Sequence, residues 1–244
     1  MRSKSAPGTT FFFAAPDDFD GAVVSLRDDE AHHASRVLRL RTGDEIQIVD
    51  GMGGWYRVML DKLDGGVVRG SIIERRLGVG ESSTYVHLAV AGLKSRSRFD
   101  MILEKATELG VSRVTVLDTQ RAERARVDVD RSTRLMRAAM KQCKRSRIPL
   151  LEGPVGLSEF LSGAEASRKL VCHNGDGDVS IPNALDASDR DVTIAVGPEG
   201  GFANDEIDLA IARGFQSVHL GPRRLRTETA CLVACSAILM TGIA

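Results

Sequence analysis

The stretch TIAVGPEGGFANDEI, residues 193–207, runs from an apolar strand-like segment into a turn that contains three glycines and one proline. A helix-like pattern follows at once. Backbone N–H groups in such a turn can bind an anion or a carboxylate, because glycine permits positive φ and close backbone approach. The turn lacks the Gly-Lys-Ser/Thr of a Walker loop, and G-x-G-x-x-G occurs nowhere in the chain, which argues against an ordinary Rossmann enzyme. Taken alone, the turn is more often a tight strand-to-helix connection.

The stretch HLGPRRLRTETACL, residues 219–232, repeats this arrangement of a strand, a Gly-Pro turn and a helix. Two such turns at the carboxyl ends of strands predict a shared crevice, which is where open α/β sheets bind ligands. The alternative is a pair of unrelated structural turns. Arg223, Arg224, Arg226 and Glu228 crowd the second turn with more charge than a packing corner needs, and this favours the crevice.

The pattern upstream of these turns divides the chain in two. Residues 20–76 contain short apolar or alternating runs separated by Gly and Asp, which is typical of a small β-barrel. The glycine-rich segment 77–83 predicts a linker. After it, strands alternate with helices, including a helix over 97–109 with Ser97 and Asp100 as its capping box, and this predicts a parallel sheet. We therefore expect a β-barrel domain over residues 1–80 and an α/β domain over 81–244.

A basic run between Arg121 and Arg147 has ten Lys or Arg residues against three acids. Its helical part places five cations on one face: Arg131, Arg134, Arg137, Lys141 and Lys144. A solvated helix face is the plain alternative, but such a face normally mixes both signs of charge. A face of one sign suits a phosphate backbone, so this run favours nucleic-acid binding.

Composition sets broad limits on the class of protein. The chain has 244 residues, 43% hydrophobic and 27% charged, which is ordinary for a soluble globular protein of one large or two modest domains. Its 33 basic and 33 acidic side chains balance, so net charge alone predicts no polyanionic partner. No targeting segment or membrane span is predicted, and four scattered cysteines without C-x-x-C suit the cytoplasm. The five histidines show no metal-ligand spacing, so no metal is expected.

The two C-terminal motifs GPEGGF…DEI and LGPRRLRTETA together resemble the RsmE family, bacterial methyltransferases of uridine N3 in 16S ribosomal RNA that belong to the SPOUT superfamily. The segments EKATELGV (104–111), QCKRSRIP (142–149) and HHASRVLRLRTGD (32–44) are similar to blocks of that family in the same order. The resemblance therefore covers nearly the whole chain except its extreme N-terminus.

This resemblance implies an α/β fold class in which a trefoil-knotted SPOUT domain follows a small PUA-like, RNA-binding β-barrel. It implies S-adenosylmethionine (SAM) as cofactor, 16S rRNA or the small ribosomal subunit as partner, a homodimer, and no membrane partner. The residues expected to bind the cofactor are His173, Gly197, Glu199, Gly200, Gly201, Leu220, Gly221, Leu225, Arg226 and Thr227. The glycines are expected to leave room for adenosine.

The chemistry predicts the catalytic side chains. Uridine N3 becomes a good nucleophile when its proton leaves, and an arginine near O2 or O4 would stabilise the developing charge. We expect Arg226 to stabilise this charge, with Arg223 as the second candidate. Glu199 or Glu228 is expected to take the proton or to orient the arginine. Each carboxylate could equally cap a helix or form a salt bridge.

RNA contacts are expected from basic side chains of both domains: His33, Arg36, Arg39, Lys94, Lys105, Arg131, Arg134, Arg137, Lys141 and Arg145. For Lys105 a surface ion pair is the alternative. Three rival functions remain open from the sequence. They are a non-catalytic RNA-binding module, a SPOUT enzyme acting on another RNA or a ribose 2′-hydroxyl, and a nucleotide-phosphate enzyme.

Overall fold

The computed structural model describes residues 10–64, 66–122, 127–175, 178–186 and 188–241. The chain forms two compact units, and each is built from two stretches of sequence. The first comprises Met1–Glu81 and Arg137–Ile148, and the second comprises Ser82–Met136 and Pro149–Ala244. Residues 137–148, which the sequence assigned to the α/β domain, thus belong to the first unit.

The first unit contains a curled six-stranded sheet in the order β1-β4-β5-β6-β3-β2. Only the β1–β4 pair is parallel. A short α1 helix continues into one π-helical turn at residues 33–37. The elements are β1 (Phe11–Phe13), β2 (Phe19–Asp20), β3 (Val23–Leu26), α1 (Asp28–His32), β4 (Glu45–Val49), β5 (Gly54–Asp64) and β6 (Val67–Leu77).

The second stretch of the first unit completes an apolar cluster on this sheet. Met140 is fully buried and packs with Phe11, Val49 and Trp55. Met140 lies on helix α3 (Val129–Cys143), so the division between the two units falls within this helix.

Glu81 fixes the two stretches of the first unit to each other by a set of hydrogen bonds. Its Oε2 accepts from Nη2 and Nε of Arg145 at 2.7 and 3.1 Å. Its Oε1 accepts from the backbone N–H groups of Ser146 and Arg147 at 3.0 and 2.9 Å. A carboxylate that accepts this many hydrogen bonds, one partner being a buried guanidinium, is a structural tie.

The second unit is built on a seven-stranded sheet in the order β11-β13-β10-β12-β7-β8-β9, and all six pairings are parallel. The strands are β7 (Tyr85–Ala91), β8 (Arg113–Asp118), β9 (Leu150–Gly156), β10 (Arg168–Cys172), β11 (Val179–Ser180), β12 (Asp191–Val196) and β13 (Gln216–His219). The central strands β7 and β12 are almost continuously buried, as expected for a parallel sheet covered on both faces.

Helices connect these strands and cover the sheet. They are α2 (Arg96–Leu109), α4 (Leu157–Gly163), α5 (Ile181–Ala184), α6 (Asn204–Ala212) and α7 (Thr227–Thr241). Gly110 ends α2 in the left-handed region, at φ +109°. The predicted fold class, an α/β domain joined to a β-rich N-terminal domain, is confirmed. Among the helices that the structure describes, none is long and apolar enough to cross a bilayer.

His87 is a buried titratable side chain in the core of this sheet. Its Nε2 lies 2.7 Å from Thr115 Oγ1 on the neighbouring strand, and its ring meets Phe160 edge-on at 5.5 Å between centroids. Burial, together with the charge of Arg113 and against that of Glu152, lowers the pKa of His87 from its ordinary value of 6.5 to about 4. The imidazole is therefore neutral in the folded protein at neutral pH.

We expect His87 to make the stability of the protein depend on pH between 6.5 and about 4. The unfolded chain binds a proton in this window and the folded chain does not, so the free energy of unfolding falls as the pH falls, by about 3 kcal/mol in total. Denaturant unfolding of the wild type and of His87→Gln at pH 7 and pH 4.5 measures this. The glutamine variant should lose most of the difference, and an equal pH dependence in both proteins would contradict the assignment.

Candidate functional site

The carboxyl ends of β10, β12 and β13 meet at one edge of the second unit's sheet, because these strands are adjacent and parallel. Each strand is followed by a loop: residues 173–175 after β10, 197–203 after β12, and 220–226 after β13. The loops after β12 and β13 contain the two Gly-Pro motifs, and the loop after β10 begins with His173. Their convergence confirms that the two Gly-Pro turns belong to one crevice.

The turn after β12 is held by its own backbone and by the start of α6. The N–H of Gly201 donates to the carbonyl of Pro198 at 2.8 Å. A Cβ on Gly197 would lie 3.0 Å from the backbone nitrogen of Phe202. A side chain at Gly197 would therefore press on the backbone of the turn, so this glycine serves the close packing of the turn as well as lining the cavity.

Glu206 fixes the segment that follows this turn. Its carboxylate accepts from the backbone N–H of Ala203 at 2.8 Å, where it caps the start of α6. It also accepts from the backbone N–H of Gln120 at 2.8 Å, and this bond attaches the loop after β8.

The turn after β13 is joined to the first turn by a side chain of α7. Gly221 adopts a φ of +98°, a conformation that strains any other residue, and its N–H donates to Nδ1 of His219 at 3.1 Å. Thr227, the first residue of α7, donates its buried hydroxyl to the carbonyl of Gly197 at 3.2 Å. The two turns are thus one connected structure.

A cavity of about 580 Å³ lies among these loops. Nine of the ten residues predicted to bind a cofactor line it, and Arg226 does not. Its walls combine apolar side chains such as Val196, Leu220 and Leu225 with backbone groups of the turns. The predicted residues that line it are His173, Gly197, Glu199, Gly200, Gly201, Leu220, Gly221, Leu225 and Thr227.

The four side chains predicted to be catalytic occupy different positions. Arg223 and Glu199 line the cavity and are exposed. Arg226 is exposed at the start of α7 but lies outside the lining. Glu228 is buried, and its Oε2 has no hydrogen-bond partner among the residues described.

Two arginines near the cavity were missed by the sequence reasoning. Arg121 donates to the carbonyls of Gly200 and Phe202 at 3.0 and 3.2 Å, so it holds the turn after β12. Arg98 on α2 donates from Nη1 to Oε1 of Glu199 at 2.7 Å. Arg98 lies in the segment SRSRFD at the start of α2, and nothing in that segment indicates its partner Glu199, 101 residues later.

His173 begins the third lining loop, as predicted. Its backbone N–H donates to the carbonyl of Val218 at 2.9 Å, and its Nδ1 lies 3.3 Å from Oδ2 of Asp178. No group of three or more His, Cys, Asp or Glu side chains within the described ranges could hold a metal ion.

The prediction that one face of helix α3 carries charge of a single sign needs correction. In the second unit Arg131 makes two hydrogen bonds with Asp100, at 2.5 and 2.6 Å, and Asp100 therefore does not cap α2. In the first unit Lys141 pairs with Glu30. Two of the five cations on this face are therefore paired with acids from distant parts of the sequence.

Other side chains predicted to contact RNA differ in how exposed they are and in whether they are already paired. Arg145 is only 2% exposed and bound to Glu81, so it is a structural residue and not an RNA contact. Arg137 is half-buried, and its guanidinium stacks on Phe13 at 4.0 Å from the ring centroid. Lys105 is paired with Glu104 and Glu108, which raise its pKa, and it does not line the cavity.

The exposed side chains among the predicted RNA contacts lie in both units. His33, Arg36 and Arg39 are exposed in the first unit, in and just after the π-helical turn, and Arg134 and Lys94 are exposed in the second. Arg124 and Arg126 of the basic run lie outside the described residues.

Comparisons with known proteins match both halves of the chain. Residues 80–239 match the model of an RNA methyltransferase domain, and residues 26–69 match that of an RNA methyltransferase PUA domain. A protein of Synechocystis named ribosomal RNA small subunit methyltransferase E is 34% identical over 231 residues, which cover 92% of this chain and 75% of that protein. The protein of the same name from Mycobacterium tuberculosis is 30% identical over 228 residues, covering 89% and 86%.

The chain is also similar to a solved structure of a protein with this name. The ribosomal RNA small subunit methyltransferase E of Neisseria gonorrhoeae, crystallised with S-adenosyl methionine bound, is 28% identical. It superimposes with a TM-score of 0.81 over 95% of this chain and 97% of the other.

Proposed function

Because the chain belongs to the ribosomal RNA small subunit methyltransferase E family, we propose that it methylates N3 of one uridine in 16S ribosomal RNA, with SAM as the methyl donor. The observation that carries this proposal is the cavity formed by the three strand-end loops, which contains nine of the ten residues expected from the family motifs. We further propose that the protein acts in the cytoplasm as a homodimer. We propose the second unit, Ser82–Met136 with Pro149–Ala244, as the catalytic domain and the first unit, Met1–Glu81 with Arg137–Ile148, as the RNA-binding domain.

The cavity fits SAM in size and in the chemistry of its walls. Sites for small ligands typically enclose about 300–1,000 Å³ and combine apolar walls with a few polar groups. Here the apolar side chains of Val196, Leu220, Leu225 and Ala230 would contact the adenosine, and the backbone groups of the two glycine turns would bind its polar atoms. When bound, SAM supplies an electrophilic methyl group attached to a positively charged sulfur.

The side chains around the cavity supply the remaining requirements. Arg223 is exposed on the cavity wall, whereas Arg226 lies outside it, so we propose Arg223 as the cation that stabilises negative charge on the uracil oxygens. Glu199 lies on the same wall and is available to accept the N3 proton. Thr227 and Arg121 keep the turns that would bind the cofactor in position, so that its methyl group is oriented before reaction.

The test is methyl transfer from labelled SAM to small ribosomal subunits from a strain that lacks this gene. The labelled RNA is digested and the nucleoside identified by mass spectrometry. We expect N3-methyluridine. A 2′-O-methylated nucleoside would indicate the ribose-directed alternative, and SAM binding without labelling of the subunits would direct the search to other RNAs. Absence of both binding and transfer would leave an RNA-binding module.

The exposed arginines of the first unit are proposed to bind the RNA backbone. We expect Arg36→Ala with Arg39→Ala to weaken RNA binding at low salt and to reduce its salt dependence. If each arginine contacts one phosphate of single-stranded RNA, the slope of log K against log salt falls by about 1.4 in total. Filter binding between 50 and 300 mM salt measures this.

A matched control is Arg57→Ala, because Arg57 is a half-exposed arginine of the same unit that pairs with Glu45 and Glu74. It should leave the slope unchanged. An equal slope in the double variant and the wild type would show that Arg36 and Arg39 are solvated side chains only.

A further inference from the structure

One guanidinium faces two carboxylates beside the cavity. Nη1 of Arg98 donates to Oε1 of Glu199 at 2.7 Å, and Nε of Arg98 lies 3.6 Å from Oε1 of Glu228. The three residues come from three elements: α2, the turn after β12, and the first turn of α7. They are separated widely in sequence, so only the fold brings them together.

The two carboxylates differ in their access to a substrate. The side chain of Glu199 is 53% exposed and lines the cavity. The side chain of Glu228 is 8% exposed and does not line it. A buried carboxylate needs a nearby cation, because the protein interior replaces water poorly as a solvent for charge. Glu228 therefore serves to hold Arg98, and it is not available to a base in the cavity.

Glu199 is held at two points, and this separates it from an ordinary surface ion pair. Arg98 fixes its carboxylate, and Nη2 of Arg224 donates to its backbone carbonyl at 2.8 Å. An exposed ion pair alone contributes little and restricts its members weakly. Here Nε of the same arginine also lies 3.6 Å from the buried carboxylate of Glu228, so the guanidinium that holds Glu199 contacts a second carboxylate.

We infer that Arg98 is a positioning residue that holds Glu199 toward the substrate base, and that Glu199 is the carboxylate that accepts the proton. This inference rests on the proposed function. The N3–H bond of uridine breaks, its proton moves to a carboxylate oxygen of Glu199, and the electron pair left on N3 forms the bond to the methyl carbon. The bond between that carbon and the sulfur of SAM would break, and its electron pair would stay on the sulfur as a neutral thioether. Glu228 acts only through Arg98.

The inference predicts that Arg98 and Glu199 act as one unit in a double-mutant cycle. Arg98→Gln and Glu199→Gln should each lower kcat about 100-fold, which is within the usual range for a general base. The double variant should be no more than about threefold slower than either single variant, because effects through one group do not add. Arg98→Lys, which keeps the charge, should recover kcat to within about tenfold of wild type. Calorimetry should give Kd values for SAM within about twofold of wild type for the two Arg98 variants, because Arg98 does not line the cavity.

A matched control comes from the same helix. Arg96 is an exposed arginine whose partner is Asp128, and Arg96→Gln should leave kcat unchanged. The inference would be overturned if the two kcat losses multiplied in the double variant, or if Arg98→Gln were as active as wild type. In either case, formation of N3-methyluridine by the wild type would still support the proposed function. A wild type that forms no N3-methyluridine would show that the proposed function is wrong, and the role of Glu199 would fall with it.

Discussion

Replacing Arg223 by glutamine is expected to lower kcat for methyl transfer about 100-fold or more. Arg223 is an exposed cation on the wall of the cavity, where it would face the negative charge that develops on the uracil oxygens. Loss of one such donor in an enzyme site typically costs about 10²–10³ in kcat. Steady-state kinetics with labelled SAM and small subunits measures the effect, and calorimetry checks that the cofactor still binds.

Two further variants decide whether the effect belongs to this position. Arg226→Gln should be less damaging, because Arg226 lies outside the cavity lining. Arg213→Gln, at an exposed arginine that follows α6 and bonds to Ser162, should have no effect. If Arg226→Gln proved the more damaging change, the stabilising cation would be Arg226, as the sequence motif alone favoured.

Replacing Glu81 by alanine is expected to destabilise the first unit by about 3–5 kcal/mol, the usual cost of removing one member of a buried ion pair. Arg145 is 2% exposed and loses its carboxylate partner, and two backbone N–H groups at residues 146 and 147 lose their acceptor. The protein has a single tryptophan, Trp55, which is buried in this unit. Its fluorescence during denaturant unfolding therefore reports on the first unit specifically.

The matched control for Glu81 is Glu45→Ala. Glu45 also pairs with an arginine of the first unit, Arg57, but the N–O distance is 3.6 Å and both side chains are nearly half exposed. Its loss should cost less than about 1 kcal/mol. Equal shifts of the Trp55 transition in the two variants would mean that the Glu81 hydrogen bonds do not hold the unit together.

Most of the cavity could be predicted from sequence because its residues lie in two continuous motifs at the ends of neighbouring strands. Parallel strands place their carboxyl ends at one edge, so a pair of Gly-Pro turns on adjacent strands indicates a shared site without any knowledge of side-chain packing. The structural role of each glycine could not be predicted in the same way. Gly197 serves the approach of the Phe202 backbone, which no local pattern reveals.

The charge pattern of α3 shows why surface chemistry is harder to predict. Arg131 and Lys141 form a convincing basic stripe when only their own helix is considered. Their partners Asp100 and Glu30 lie 31 and 111 residues away in sequence. The sign of a helix face depends on side chains that other elements bring to it, and this information is contained in the tertiary structure.

Arg98 was overlooked for a related reason. Its neighbours Ser95, Ser97 and Asp100 look like helix-start residues, and a cation among them has no evident task. Its partners, Glu199 and Glu228, follow about 100 and 130 residues later. A contact between residues so far apart cannot be predicted from local spacing. The motif around Glu199 is continuous in sequence and can be recognised from it.

The interrupted sequence of the first unit affects the order in which the protein folds during its synthesis. Residues 11–81 leave the ribosome well before residues 137–148 have been translated. At about 5–20 residues per second, the intervening Ser82–Met136 take roughly 3 to 11 s to synthesise. During that interval Trp55 and Phe11 lack Met140, and Glu81 lacks its hydrogen-bond donors. The nascent N-terminal sheet therefore keeps an apolar surface uncovered until residues 137–148 are synthesised, and these follow the first two strands of the α/β sheet in the sequence.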